Sequence, residues 1–267
     1  MTGTFAAKLG EAFERLDGSP LVLLLDVDGT LAPIAPRPED AEVPAATRRV
    51  LEALVARPGV KVVVVSGRSA ADARRLVGVP GTWTIGNHGI ETIVPDGTIS
   101  IDERVAPYRA VLSEAAERLR RQLGAVPGVL IEDKTWTLSV HYRLADPAAE
   151  PRVREAVEGA ADAAGLRVLG GKMVVELRPP IDVHKGTAAI LVAEELGALS
   201  ENASILCAGD DRTDEDMFVA VRAAFPQAVT VRVAGGSDEA HRVTAAEVVV
   251  ANVEAMREML ETLLAAR

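Results

Sequence analysis

Cysteine and aromatic residues are scarce in this sequence. One cysteine, Cys207, occurs among 267 residues, so an intramolecular disulfide is excluded. Aromatic side chains make up 3% of the residues and the formal net charge is −10, which argues against a nucleic-acid partner. No run approaches the roughly 20 apolar residues that a membrane span requires. Residues 1–18 predict a short amphipathic helix and not a signal peptide. We therefore expect a cytoplasmic monomer without a nucleic-acid or membrane partner.

Apolar residues are abundant, at 48%, and several of them form short runs. Residues 21–25 are five consecutive aliphatic residues, which predict a strand buried on both faces of a parallel sheet. Residues 60–65 follow the same pattern, and so do residues 204–208, which include Cys207. Helical patterns lie between these runs. This alternation of strand and helix predicts a doubly wound α/β fold with right-handed crossovers.

The alternation changes in the middle of the chain. Residues 107–123 and 147–164 predict helices, and the segments around them predict antiparallel strands. The last two of these strands, within residues 166–177, are predicted to turn across Gly170-Gly171. We interpret residues 105–180 as an inserted α+β domain, and residues 1–104 with 181–267 as the α/β core.

Polar residues follow three of the predicted core strands. Asp26 and Asp28 follow the first strand, Ser66 the second, and Asp210 with Asp211 the strand that contains Cys207. The carboxyl ends of parallel strands meet at one edge of a sheet, where α/β proteins bind ligands. Two like charges about 4 Å apart repel by roughly 4 kcal/mol at an effective dielectric near 20, so a cation is expected there. Carboxylate oxygens suit Mg²⁺, and such a site suits phosphoryl transfer.

These residues, and the other polar residues near the predicted strand ends, also have simpler interpretations. Asp and Gly are common in turns, Ser66 alone is typical of a turn, and Lys185 alone is a solvated lysine at the start of a helix. Asp214 could cap a helix as readily as support a metal. Arg68 and His184 are interpreted as surface residues. The four histidines show no zinc-ligand spacing.

Together the motifs resemble those of a known family. Asp26-Val27-Asp28-Gly29-Thr30, Ser66-Gly67-Arg68, Lys185-Gly186 and the segment 209–214 resemble, in order, the four signatures of the haloacid dehalogenase (HAD) superfamily. The segments 86–89 and 171–179 narrow the resemblance to trehalose-6-phosphate phosphatases. The resemblance implies a HAD-type, Rossmann-like parallel sheet core with an inserted α+β cap. It also implies an Mg²⁺-dependent phosphoric monoester hydrolase that acts on a sugar phosphate.

The resemblance implies a role for each motif residue. Asp26 is the expected nucleophile that forms an aspartyl-phosphate. Asp28 is expected to protonate the leaving oxygen and then to accept a proton from water. Ser66 and Lys185 are expected to hold the transferring oxygens. Mg²⁺ is expected between Asp26, the backbone carbonyl of Asp28 and Asp210, with direct or water-bridged support from Asp211 and Asp214.

Substrate selectivity is expected in the inserted domain. Strand alternation places Lys172, Val174, Glu176 and Arg178 on one face. The resemblance implies sugar binding by Glu132, Lys134, Lys172 and Glu176, and the further candidates for substrate binding are Asn87, His88, Arg143 and Arg178. The alternative interpretation of this face is a solvated set of ion pairs that adds little stability.

Three other functions stay open at this point. A HAD phosphatase could act on another sugar phosphate, such as a sucrose or mannosylglycerate phosphate. A non-enzymatic signalling module could use an aspartyl-phosphate as a switch, although Asp28 would promote hydrolysis of that group. A phosphomutase is a weaker alternative.

Overall fold

The structure, a computed structural model, describes residues 10–171, 173–235 and 243–267. The chain divides into two compact units, one formed by Met1–Ser100 with Val183–Arg267 and the other by Ile101–Asp182. The boundaries predicted from the sequence lie after residues 104 and 180. No helix within the described ranges is long and apolar enough to cross a membrane.

The regular elements are named in chain order. The strands are β1 Leu21–Leu25, β2 Val60–Val65, β3 Trp83–Gly86, β4 Glu91–Ile93, β5 Ile99–Ile101, β6 Leu130–Asp133, β7 Leu138–His141, β8 Arg167–Gly171, β9 Val174–Arg178, β10 Ser204–Gly209, β11 Val229–Val233 and β12 Val248–Val250. The α-helices are α1 Ala45–Val55, α2 Ala70–Val77, α3 Arg109–Leu123, α4 Glu150–Ala164, α5 Lys185–Glu195, α6 Arg212–Ala224 and α7 Val253–Ala265. Short 3-10 helices span Pro38–Asp40, Asn87–Gly89, Glu103–Tyr108 and Pro147–Ala149. Residues 10–14 are also helical, and residues 1–9 of the predicted first helix lie outside the described residues.

The first unit is built on an eight-stranded sheet in the order β12-β11-β10-β1-β2-β3-β4-β5. The strands from β12 to β3 pair in parallel, and β4 is antiparallel to β3. Strand β1 therefore lies inside the sheet, between β10 and β2. The predicted doubly wound parallel sheet is confirmed.

Both faces of this sheet are covered, which explains the continuous aliphatic runs. Leu21, Leu23 and Leu25 of β1 belong to a core cluster with residues of α1, α2 and α7. Val22 and Leu24 point to the other face and join a second cluster with α5 and α6. Cys207 is fully buried in that second cluster and is a free thiol, as expected for a strand position.

The second unit is an antiparallel sheet in the order β6-β7-β9-β8, covered on one face by α3 and α4. Leu138 and Val140 of β7 and Val175 and Leu177 of β9 point into the core beneath these helices. The alternate residues of both strands therefore lie on the opposite face of the sheet. The predicted α+β composition of this segment is confirmed.

Three predicted boundaries were wrong by a few residues. The pattern after β2 predicts a helix from about Ser66-Gly67-Arg68, but α2 begins at Ala70, because the Ser69 side chain caps it by accepting the Asp72 N–H at 3.2 Å. The pattern after β10 predicts a helix from about Asp214, and α6 begins two residues earlier, at Arg212. Strand β8 continues through Gly171, so the predicted turn across Gly170-Gly171 is displaced towards the C-terminus.

Glu91 joins the start of α2 to the neighbouring strand β4. Its carboxylate accepts the backbone N–H of Ala70, the first residue of α2, at 2.7 Å. Both residues are buried. This N–H has no acceptor within the helix, so Glu91 satisfies it and also places a negative charge at the positive end of the helix dipole.

We predict that Glu91→Ala lowers the free energy of unfolding by about 1–3 kcal/mol, because a buried N–H is left without its acceptor. Urea unfolding followed by circular dichroism measures this loss. Glu91→Gln retains an acceptor oxygen and is the matched control, with a smaller expected loss. An equal loss in both variants would contradict the assignment to this hydrogen bond.

Candidate active site

Asp26 lies at the end of β1, at the carboxyl edge of the sheet. Its N–H continues the ladder to β10 by donating to the carbonyl of Ala208 at 3.0 Å. Its side chain is buried and accepts a hydrogen bond from the Lys185 ammonium at 2.7 Å. A buried carboxylate is thus held by a cation 159 residues away in the sequence.

Lys185 is the first residue of α5 and is only 3% exposed. Its ammonium also donates to Asp214 at 2.8 Å. Although burial opposes it, the nearby carboxylates of Asp214 and Asp26 raise the pKa of Lys185 well above its usual value. His184 is half-buried and caps this helix by accepting the Gly186 N–H through Nδ1 at 3.2 Å, a role that its interpretation as a surface residue did not include.

Asp211 and Asp214 form the N-terminus of α6. Asp211 accepts the Asp214 N–H at 3.0 Å, and Asp214 accepts the Asp211 N–H at 3.1 Å, which is a reciprocal capping box. Asp214 is fully buried and also accepts the Asp210 N–H at 3.0 Å. Asp214 therefore takes part in the helix cap proposed from the sequence, and its support of a metal stays a prediction.

Gly29 of the first motif allows the loops after β1 and β10 to approach each other. Its φ is +89°, a conformation that L side chains rarely adopt, and a Cβ atom at this position would lie 2.2 Å from the Asp210 carboxylate. The glycine that follows Asp28 in the sequence is therefore needed for close packing against Asp210.

The acidic cluster fits a divalent cation. Asp26, Asp210 and Asp214 each offer a carboxylate oxygen, and these oxygens lie within 4.8 Å of one another. Burial, opposed by Lys185 and reinforced by Asp210 and Asp211, raises the pKa of Asp26 to about 7. Burial and the nearby Asp214 and Asp211 carboxylates raise the pKa of Asp210 to about 8. Excess negative charge and oxygen donors together are the chemistry that Mg²⁺ prefers.

The Asp28 carboxylate pairs with a different basic side chain from that of Asp26. Its carboxylate accepts two hydrogen bonds from Arg68, from Nε at 2.7 Å and from Nη2 at 2.8 Å. Strand alternation would place residues two apart on the same side, but β1 ends at Leu25, before both Asp26 and Asp28. Arg68 is 8% exposed, and its interpretation as a surface residue was wrong. Its place directly after Ser66-Gly67 was the only signal for this role.

Ser66 and Arg68 belong to a loop that the next loop supports. Ser66 is buried, and its hydroxyl accepts the Arg68 N–H at 3.2 Å. The N–H of Asn87 donates to the Arg68 carbonyl at 2.6 Å, and that of His88 to the Ser66 carbonyl at 3.1 Å. Asn87 and His88 are buried and have φ values of 46° and 56°. Their backbones therefore hold the loop, and substrate contact by their side chains stays a prediction.

The second unit carries a separate polar cluster, centred on Glu176 of β9. Its carboxylate accepts hydrogen bonds from Lys134 at 2.9 Å and from Arg178 Nε at 2.6 Å. The hydroxyls of Thr137 and Ser139 donate to it at 3.3 and 3.2 Å. Glu176 is only 6% exposed, so these donors compensate a charge that is largely removed from water.

The other candidates of this unit lie in different positions. Glu132 of β6 is 2.8 Å from His141 Nε2 on β7, a partner that the sequence analysis did not identify. The sequence pattern predicts a strand over residues 137–143, but β7 ends at His141 and Arg143 lies in the turn that follows. The Tyr142 N–H donates to the Met173 carbonyl at 3.1 Å. Lys172 lies outside the described residues.

Comparison with known proteins agrees with this geometry. The model of the trehalose-phosphatase family matches residues 24–252. The chain belongs to the trehalose-phosphatase family. The family resemblance of the motifs is therefore confirmed, and the matched range includes all of the residues predicted to form the site.

Members and structural neighbours of the trehalose-phosphatase family show how far this similarity extends. The trehalose-phosphate phosphatase of Mycobacterium avium (strain 104) is 40% identical over 234 residues, which are 87% of this chain and 59% of that protein. The crystal structure of a trehalose-6-phosphate phosphatase related protein has 28% identity and a TM-score of 0.78, and it covers 92% of this chain and 97% of its own. A HAD superfamily phosphatase from Bacteroides thetaiotaomicron shares the fold, with 20% identity, a TM-score of 0.59 and coverage of 92% and 97%.

We predict that Mg²⁺ raises the melting temperature more at about pH 9 than at about pH 6. The raised pKa values mean that the folded protein binds protons that the unfolded chain has already released. Stability without metal therefore falls as the pH rises from about 4 to about 8. Mg²⁺ binds the ionised carboxylates and opposes this loss. Differential scanning calorimetry with and without Mg²⁺ measures the rise in melting temperature at each pH.

Asp210→Asn is the matched variant for this experiment. It removes one ionisable group of the cluster. We therefore expect a smaller fall in stability with pH and a smaller rise in melting temperature on addition of Mg²⁺. Identical melting temperatures with and without Mg²⁺ at alkaline pH would contradict a cation site.

We predict that Glu176→Ala destabilises the second unit by about 3–5 kcal/mol, because it removes the carboxylate that Lys134 and Arg178 share. Glu117→Ala is the control: the Glu117 side chain is 60% exposed, and a change within about 0.5 kcal/mol is expected. Chemical unfolding measures both. A loss from Glu176→Ala no larger than the control would argue for a weak, solvated ion pair.

Proposed function

We propose that this chain is an Mg²⁺-dependent phosphatase that hydrolyses trehalose 6-phosphate to trehalose and inorganic phosphate. Family membership and the name of the 40% identical relative support this substrate. The observation that carries the proposal is the cluster in which buried Asp26 contacts Lys185 and lies close to Asp210 and Asp214. Such a cluster supplies a nucleophile and the charges that a transferring phosphoryl group needs.

In the first step, a carboxylate oxygen of Asp26 attacks the phosphorus atom. The bond between phosphorus and the sugar oxygen breaks, and Asp28 gives a proton to the departing oxygen. The product is an aspartyl-phosphate on Asp26. Lys185 and Ser66 stabilise the negative charge on the phosphoryl oxygens, and Lys185 is suited to this because its ammonium is already held beside Asp26.

In the second step, water attacks the phosphorus atom of the aspartyl-phosphate. Asp28 accepts a proton from this water, and the bond between phosphorus and Asp26 breaks. The electron pair returns to the Asp26 carboxylate, and phosphate leaves. Asp28 is suited to contact water because its side chain is 37% exposed, whereas that of Asp26 is 5% exposed.

Asp26, Asp210 and the backbone carbonyl of Asp28 would hold Mg²⁺. When bound, the ion neutralises charge on the nucleophile and the phosphoryl group. Asp214 already accepts hydrogen bonds from Lys185 and from two backbone N–H groups, so we assign it to positioning these neighbours. Asp211 caps α6 and supports the same turn.

Sugar recognition is assigned to the polar face of the second unit. Glu132, Lys134, Glu176 and Arg178 donate or accept hydrogen bonds there, which suits the hydroxyl groups of a disaccharide. Lys172 and Arg143 are further candidates from the sequence, as are Asn87 and His88 of the first unit. Closure of the second unit over the substrate, a monomeric state and a cytoplasmic location stay predictions.

We predict that the purified protein releases phosphate from trehalose 6-phosphate faster after addition of Mg²⁺, and that Asp26→Asn reduces the rate to background. Asp28→Asn is expected to lower kcat by about 10²–10⁴-fold, the usual contribution of a general acid and base. Phosphate release in a colorimetric assay measures these rates. Full activity of Asp26→Asn would refute the assigned nucleophile.

A substrate panel separates this proposal from its alternatives. Faster turnover of sucrose phosphate or mannosylglycerate phosphate would retain the phosphatase and change its substrate. A stable acyl-phosphate with negligible turnover would favour a signalling module. Interconversion of glucose phosphates would indicate a phosphomutase.

A further inference from the structure

Arg68 holds the Asp28 carboxylate through a bidentate salt bridge. The Nε and Nη2 atoms of one guanidinium donate to the two oxygens of one carboxylate at 2.7 and 2.8 Å. A fork of this kind fixes both the position and the plane of the carboxylate, which a lysine cannot do with a single charged atom.

Arg68 is itself fixed by contacts that do not involve Asp28. Its Nη1 atom donates to Asp72 at 2.8 Å and to the carbonyl of Pro38 at 3.1 Å. The Arg68 side chain is 10% exposed, whereas that of Asp28 is 37% exposed. The guanidinium is therefore the rigid partner, and the carboxylate is the partner that it orients.

Stability alone is a weak explanation for this pair. Ion pairs with a partly exposed member generally add little to folding stability. A general base, by contrast, loses much of its effect when it is displaced by about 1 Å. The arrangement therefore suits the orientation of Asp28 better than the cohesion of the fold.

The hydrogen bonds from Arg68 also leave acceptor capacity on the Asp28 carboxylate. Both of its oxygens accept from Arg68, and an acceptor oxygen in this geometry carries no proton towards its donor. Each carboxylate oxygen has two lone pairs, so accepting from Arg68 leaves another lone pair for a water molecule. Arg68 thus fixes the direction of the Asp28 lone pairs that remain open to water.

We infer that Arg68 is a positioning residue for the second half of the reaction. It holds the Asp28 carboxylate so that Asp28 can accept a proton from the water that attacks the aspartyl-phosphate. The inference rests on the proposed phosphatase function. In this step the oxygen of water bonds to phosphorus, its proton moves to Asp28, and the bond from phosphorus to Asp26 breaks.

p-Nitrophenyl phosphate is the substrate for the test, because its leaving group departs without a proton donor. With this substrate, kcat/KM reports the formation of the aspartyl-phosphate, and kcat includes its hydrolysis. Arg68→Gln is expected to lower kcat by about 10–100-fold and to change kcat/KM by less than about 3-fold. A pre-steady-state burst of p-nitrophenol is expected in this variant.

Three further variants make the test specific. Arg68→Lys keeps the charge without the fork and should lie between wild type and Arg68→Gln. In an Asp28→Asn background, Arg68→Gln should cause less than about a 3-fold further loss, because residues that act as a unit are not additive. Arg75→Gln is the control for loss of an arginine that contacts Asp72, since the Arg75 side chain is 72% exposed.

Several outcomes would overturn the inference. They are an equal fall in kcat and kcat/KM, the lack of a burst, and an undiminished further loss in the Asp28→Asn background. If Arg68→Gln does not fold, as judged by its thermal unfolding, Arg68→Lys carries the same test. A wild-type protein that cleaves the aryl phosphate but not trehalose 6-phosphate would refute only the proposed substrate, whereas one that cleaves neither would overturn both proposals.

Discussion

The contact between the Lys185 ammonium and the carboxylates of Asp26 and Asp214 is the interaction on which the candidate site depends. It joins the end of β1 to the starts of α5 and α6. Buried carboxylates repel one another strongly when no cation lies among them. Lys185 compensates part of this charge, and the remainder makes the site suitable for a divalent cation.

Fixation of a carboxylate by a cation from a distant segment recurs elsewhere in the molecule. Asp28 is held by Arg68 from the next strand-end loop, and Glu176 by Lys134, which is 42 residues away, together with its near neighbour Arg178. Each contact fixes a group whose chemistry depends on its orientation. The two carboxylates of the Asp-x-Asp motif have different cations, which is consistent with their different proposed tasks.

Much of the fold could be predicted because local patterns coincide with the tertiary arrangement. The runs at Leu21–Leu25 and Val60–Val65 are strands with the predicted bounds, since strands buried on both faces need continuous aliphatic residues. The predicted first residues of the helices were less accurate. The side chains of Ser69 and Asp211 cap these helices, and hydrophobic periodicity does not identify capping residues.

The sequence by itself determined the doubly wound sheet, the inserted α+β unit, the family and the set of acidic residues at the strand ends. Only the tertiary structure decided which cation each carboxylate contacts, that Arg68 is a buried partner of Asp28, and that Asn87 and His88 support the neighbouring loop. The physical reason is that these contacts join segments far apart in the chain. Hydrophobic periodicity and motif spacing record neighbours along one element, whereas hydrogen-bond partners depend on how separate loops pack together.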